Sequence, residues 1–153
     1  MRIRILSLMA LGAAMAAAPG RSLYAQGAKQ VINAPSARPG VLSTAVRVGD
    51  VVFLSGTLGT KPGGGGLADG GIEGQTRQAL ENVKSAVTLA GGSMADIAKC
   101  TVFLTDVANF QAMNGVYREF FPKDPPARTT VAVAGLVLPG ALLEIECMAA
   151  IKK

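Results

Sequence analysis

The sequence predicts an α+β domain, a mixed β-sheet with two helices packed on one face. Two long stretches, 72–90 and 107–121, repeat apolar residues at three- and four-residue spacing, the period of an amphipathic helix. Several shorter runs are β-branched or alternate apolar with polar, and Gly or Pro separates them. The order β, ββ, α, β, α, ββ, with no internal repeat, makes this one domain.

Gln30 to Asn33 opens the domain as a short strand, and Pro35 and Pro39 mark the loop behind it. Leu42–Val48 and Val51–Ser55 flank Gly49-Asp50, which predicts a hairpin. Gly56 to Gly71 carries eight glycines around Lys61-Pro62. It lacks both the Gly-Lys-Ser/Thr of a phosphate loop and the dinucleotide spacing, so it is expected to be a flexible connection. In the first helix Ala79, Leu80, Val83, Ala86, Val87 and Ala90 share the apolar face, and Arg77, Glu81 and Lys84 the polar one. Gly91-Gly92 ends it. Ile97–Thr105 is a strand with Cys100, Val102 and Leu104 on one side. Asp106 is placed to cap the second helix, whose stripe of Phe110, Met113, Tyr117 and Phe120 is assigned to the core. Residues 125–149 then read as two strands joined by a Pro-Gly turn.

The first 25 residues stand apart. Met1-Arg-Ile-Arg4 is basic, Ile5–Ala18 is an apolar run, and Pro19–Gln26 is rich in small residues. That order is a secretory signal peptide, with an apolar run too short for a stable span. A membrane anchor is the lesser alternative. The cleavage position stays open between Ala14-Met-Ala16 and Ala25-Gln26. The expected organisation is a signal peptide at 1–25 and one domain at 26–153, periplasmic or secreted and off the membrane once cleaved. The precursor carries a net charge of +5, and losing Arg2, Arg4 and Arg21 leaves 12 basic against 10 acidic side chains. With no basic block in the remainder, nucleic acid is not an expected partner.

There is no histidine, which excludes Ser-His-Asp and Cys-His catalysis and the common His-based metal sites. Cys100 and Cys147, 47 positions apart, fit either one disulfide or two buried free thiols in neighbouring strands; the thiols are the preferred reading.

The unusual charges cluster in the last two strands. Alternation puts Arg128 and Thr130 on one face of the first, and Glu144 and Glu146 on one face of the second. Leu143, Ile145 and Cys147 suit the space under the helices, so the glutamates belong to the other face. Arg128 and Glu144 are expected on the same side, lining a cleft. A guanidinium there grips a carboxylate with two hydrogen bonds, and a carboxylate beside it orients or deprotonates a water. A plain Arg128–glutamate ion pair, or a solvated Glu146, fits these residues equally well.

Pro126-Ala-Arg-Thr-Thr-Val131 followed by Leu143-Glu-Ile-Glu-Cys147 resembles the signature of the Rid family of reactive intermediate deaminases, also called YjgF. Val52-Phe-Leu-Ser-Gly56, Gln75 to Val83, Lys99 to Asp106 and Asn114-Gly-Val-Tyr117 agree in register, so the resemblance covers Asn33 to the end. It implies a chorismate-mutase-like fold and a homotrimer with clefts between subunits. It also implies hydrolysis of 2-imino acids such as 2-aminoacrylate to 2-keto acids and ammonia, without metal or organic cofactor. By position it makes Arg128 the carboxylate grip and Glu144 the residue that positions water. Ser55, Gly56, Asn114 and Thr130 become lining residues. Two positions depart: Thr130 stands where the family often has cysteine, and Pro39-Gly-Val-Leu42 where it often has Gly-Pro-Tyr. The alternative function is a stress-protective trimer that binds small carboxylates without turnover. RNA cleavage, also attached to the family, is disfavoured by the modest charge and the missing histidine.

Overall fold

The computed structural model describes residues 28–35 and 40–152. The signal-peptide reading of 1–25 lies outside the described residues. Seven strands and two helices follow in the order β1 (Gln30–Ile32), β2 (Ala45–Val48), β3 (Val51–Leu54), β4 (Thr57–Leu58), α1 (Gly71–Leu89), β5 (Ile97–Leu104), α2 (Phe110–Phe120), β6 (Ala127–Ala132) and β7 (Leu143–Ala150). They form one mixed sheet of order β1-β2-β3-β7-β5-β6, with β4 also paired to β7. The predicted α+β architecture stands.

Turn chemistry explains the hairpin and the first helix. Gly49 takes the left-handed conformation (φ 61°) between β2 and β3. At the end of α1 the Gly91 N–H donates to Thr88 O and the Gly92 N–H to Val87 O, both at 2.9 Å, with Gly91 at φ 84°. These paired bonds satisfy helix carbonyls that would otherwise be left over. Buried Arg47 donates to Ala90 O (2.7 Å) and Ile151 O (3.2 Å), setting a cation at the negative end of the helix dipole. Asp106 accepts from Ala108 N at 2.8 Å and starts the 3-10 turn Val107–Asn109 that leads into α2.

Three expectations need correction. The last two strands, expected to be joined as a pair by the Pro-Gly turn, are not neighbours: β6 runs parallel to β5, and β7 lies antiparallel on the other side of β5. A helix joins β5 to β6, and a helical crossover returns the chain parallel to the strand it left. The Pro139-Gly140 turn is present, with Ala141 N donating to Leu138 O, but the segment holding it crosses the end of β5. Val133 N donates to Leu104 O at one end of this segment, and Thr105 N to Leu142 O at the other.

Second, Cys100 and Cys147 are directly opposed on β5 and β7 and form a disulfide, not two thiols. Alternation aims both side chains under the helices, and an opposed pair on antiparallel strands holds its Cβ atoms close enough to bridge.

Third, the glycine-rich segment is built, not merely connecting. It contributes β4, bonds Ala68 N to Gly59 O and Lys61 N to Gly66 O at 2.8 Å each, and ties Lys61 to Asp69 at 2.7 Å. Gly59 is glycine because a Cβ there would stand 2.5 Å from Gln75 O.

Leu80, Val83 and Val87 of α1, Met113 and Tyr117 of α2, and Val52, Val102, Leu104, Leu143 and Ile145 of the sheet build the core under the helices. The opposite face carries a cross-strand apolar row, Val31–Val46–Phe53–Met148, whose ends and centre are exposed. Phe53 is 46% exposed there. Apolar surface in a continuous row is what a partner covers.

Candidate active site in two half-sites

The sheet sorts the expected site residues into two groups. Glu144 is opposed to Phe103, and Phe103 to Val131, on the helix-free face. Glu144 packs on Gly56, where a Cβ would lie 3.1 Å from its Cδ. Gly56 leaves room for the carboxylate because it has no side chain. A cleft of about 360 Å³ opens here, lined by Glu144, Glu146, Phe103 and Gly56 together with Leu136 and Val137. Val137 is 91% exposed at its rim. Buried Gln75 fixes that rim: its Nε2 donates to Gly140 O at 3.1 Å, and its Oε1 accepts from Leu142 N at 2.9 Å. Ser55, next to Gly56, donates its hydroxyl to Ser43 O at 2.6 Å, which ties the end of the hairpin to the loop before it.

Arg128 belongs to the other group. Its register partner on β5 is Cys100, whose side chain points under the helices, and paired residues of a parallel ladder share a face. The guanidinium lies over the ring of Tyr117, 4.6 Å from its centre, and 5.8 Å from that of Phe110. Asn114 is buried on α2 between those two, four residues after Phe110 and three before Tyr117, so all three share one ridge. Thr130, two residues past Arg128, is on the same face. Its hydroxyl and that of Tyr117 are buried with no hydrogen-bond partner. Burial pushes the Tyr117 phenol up to about 12, although nearby Arg128 pulls the other way.

Arg128 and Glu144 therefore lie on opposite sides of the sheet, and the expectation from strand alternation that they share one side is corrected. The register of β6 on β5 fixes the face of Arg128, and that register is invisible until the crossover is known. A plain Arg128–glutamate ion pair within one chain is removed by the same geometry. Among the described residues no acid lies within salt-bridge distance of Arg128.

Tyr117 and Phe110 were assigned to the core and not to the site. The signal was an asparagine flanked at helical spacing by aromatics facing a basic strand. Among the described residues no three Cys, Asp or Glu side chains are grouped to share a metal ion. A larger cleft of about 660 Å³ lies between the hairpin and α1, lined by Leu42 but by none of the expected site residues. Its Asn82 already donates to Leu58 O and Thr60 O, and its Lys61 pairs with Asp69.

The endoribonuclease L-PSP family model matches residues 31–151. The chain belongs to this family, which is the Rid/YjgF family of the sequence resemblance. It is 39% identical over 124 residues to Reactive Intermediate Deaminase A of Arabidopsis thaliana chloroplasts, covering 79% of this chain and 65% of that protein. It is 42% identical over 125 residues to a RutC family protein of Pyrococcus horikoshii, covering 79% and 97%. Among solved structures, RidA of an Antarctic Psychrobacter superposes with a TM-score of 0.73 at 38% identity over 80% of this chain and 99% of that one. The Rid-family protein YyfA of Yersinia pestis does so with 0.74 at 39%, over 81% and 100%. The fold and the family are thereby fixed, and deaminase activity is present among the relatives.

Proposed function

We propose that this Rid-family protein is a cofactor-free deaminase that hydrolyses 2-imino acids to 2-keto acids and ammonia, working as an exported homotrimer. The carrying observation is the pair of incomplete half-sites: a carboxylate held in a cleft by Gly56 on one face, and an arginine without an acidic partner on the other. Two such surfaces meet when separate copies pack through the apolar row of the helix-free face, and a closed ring of three repeats the contact. Each cleft then takes Ser55, Gly56 and Glu144 from one copy and Asn114, Arg128 and Thr130 from another.

In that cleft Arg128 holds the substrate carboxylate through two parallel N–H bonds. Glu144 takes a proton from water as its oxygen bonds to the imine carbon. The C=N π pair moves to nitrogen, which takes that proton from Glu144 to give a carbinolamine. Glu144 then takes the hydroxyl proton as C=O forms and passes it to nitrogen, so that the carbon–nitrogen bond breaks with its electron pair and ammonia leaves a 2-keto acid. A disulfide between buried partners suits an oxidising compartment, which supports export.

The test supplies 2-imino acids from an amino-acid oxidase and follows their disappearance. Wild type should accelerate hydrolysis and Arg128→Ala should not. Carboxylate binding that needs Arg128, without any acceleration, selects the non-catalytic binding trimer instead. A nuclease activity that persists through repurification selects the RNA reading.

A further inference from the structure

We propose that Tyr117 and Phe110 are positioning residues, which hold the Arg128 guanidinium ready for an anion by offering it aromatic faces in place of an acidic partner. The inference rests on the reading of Arg128 as the carboxylate grip. It goes further by naming what keeps that arginine in place and unneutralised.

An arginine on an edge strand has several rotatable bonds, and holding it in one pose costs entropy. Proteins commonly fix such a side chain with a carboxylate, but that partner occupies the donors and cancels the charge an anionic ligand needs. Here the guanidinium sits 4.6 Å from the centre of the Tyr117 ring and 5.8 Å from that of Phe110, both inside the range of cation–π attraction. An aromatic face attracts the cation through its quadrupole and leaves the N–H groups at the guanidinium edge free to donate. The cradle is itself rigid. Tyr117 is only 4% exposed, and its ring packs on Phe121 at 4.8 Å between centres. The phenol oxygen has no hydrogen-bond partner, so the contact with Arg128 is made by the ring. Phe110 and Tyr117 lie two turns apart on the ridge that also carries Asn114, so one helix sets the cradle and a lining residue together.

The experiment measures binding of pyruvate, with pyruvamide as the uncharged control, by NMR titration of the full domain. Tyr117→Phe keeps the ring and should bind pyruvate within about two-fold of wild type. Tyr117→Leu loses the ring and should weaken pyruvate by about 5- to 30-fold, and Phe110→Leu by about 2- to 5-fold. Pyruvamide binding should be unaltered by all three. A loss shared by both ligands indicates a general collapse of the site and overturns the inference. Pyruvate affinity at the wild-type level in Phe110→Leu and Tyr117→Leu overturns it too. Should Tyr117→Leu fail to fold, half-buried Phe110 carries the test alone. Arg128→Ala separates the two levels: if it abolishes pyruvate binding while the ring variants do not weaken it, only the cradle is wrong. If it leaves binding intact, the carboxylate-grip reading itself falls.

Discussion

Arg128 and Glu144 lie on opposite faces of one sheet, with β5 between the strands that carry them. Arg128 is level with Cys100 under α2, and Glu144 is level with Phe103 on the face without helices. No side-chain rotation brings the two groups together through a packed sheet. A cleft that uses both must draw them from two copies of the chain.

Complementation follows from that arrangement. Arg128→Ala and Glu144→Gln should each be inactive alone. Refolded together in equal amounts, they should regain about one quarter of wild-type imine hydrolysis, since a cleft needs an intact arginine from one subunit and an intact glutamate from its neighbour. Mixing without unfolding should regain little. A refolded mixture with no activity, while refolded wild type recovers fully, rules out the shared cleft.

Gly56 and Glu144 give a prediction within one half-site. A methyl group at Gly56 would meet the carboxyl group, 3.1 Å from its carbon, so Gly56→Ala must turn Glu144 away. The expected result is a lower kcat with little change in KM, because Arg128 still binds the carboxylate. Glu144→Gln should cost about 10²- to 10⁴-fold in kcat, the usual span for losing a general base, while Glu146→Gln should cost far less. Steady-state kinetics on one imino acid decides it. Equal losses at Glu144 and Glu146 would sink the assignment of Glu144 as the base.

Much of this was legible in the residues, for identifiable reasons. Helix spacing, the Gly49-Asp50 turn, the Gly91-Gly92 stop and the Asp106 cap are local signals, and each helix or turn formed where its signal lay. The faces of β7 were readable too, because Leu143, Ile145 and Cys147 could only go inward. The face of Arg128 was not readable, since Arg128–Thr130–Ala132 and Thr129–Val131 are both plausible outward sets on an exposed edge strand. Only pairing with β5, 28 residues earlier in register, decides it. The disulfide depended on the same non-local information. The role of Tyr117 was hidden because a buried aromatic at helical spacing looks the same whether it faces leucine or arginine.

The Cys100–Cys147 bridge closes a loop of 47 residues that contains all of α2 and β6. Closing a loop of that size removes enough chain entropy from the unfolded state to stabilise the fold by about 2–4 kcal/mol. Cys100→Ser with Cys147→Ser should lower the unfolding free energy read from urea titration by that amount and bring the midpoint down with it, and wild type should resist thiol alkylation even in denaturant until a reductant opens the bridge. An unchanged midpoint after reduction would show that the bridge contributes nothing to stability.

Tyr117 provides a direct optical probe, since the sequence has no tryptophan and its other tyrosine, Tyr24, falls in the 1–25 segment. In the protein without residues 1–25, phenolate absorbance should rise near pH 12 in the native state and near 10 in urea. The raised value means that the unfolded chain gives up this proton first. Stability supplied by the neutral phenol is thus complete below about pH 10 and is lost as pH climbs toward 12. Tyr117→Phe should therefore lose less stability than wild type between pH 9 and 11. In Arg128→Ala the native phenol should titrate higher still, because the cation that favours phenolate is gone. A native titration near 10 in wild type would mean that the phenol is not buried in solution, and one in Arg128→Ala that does not move would mean that the ring and the guanidinium are not in contact there.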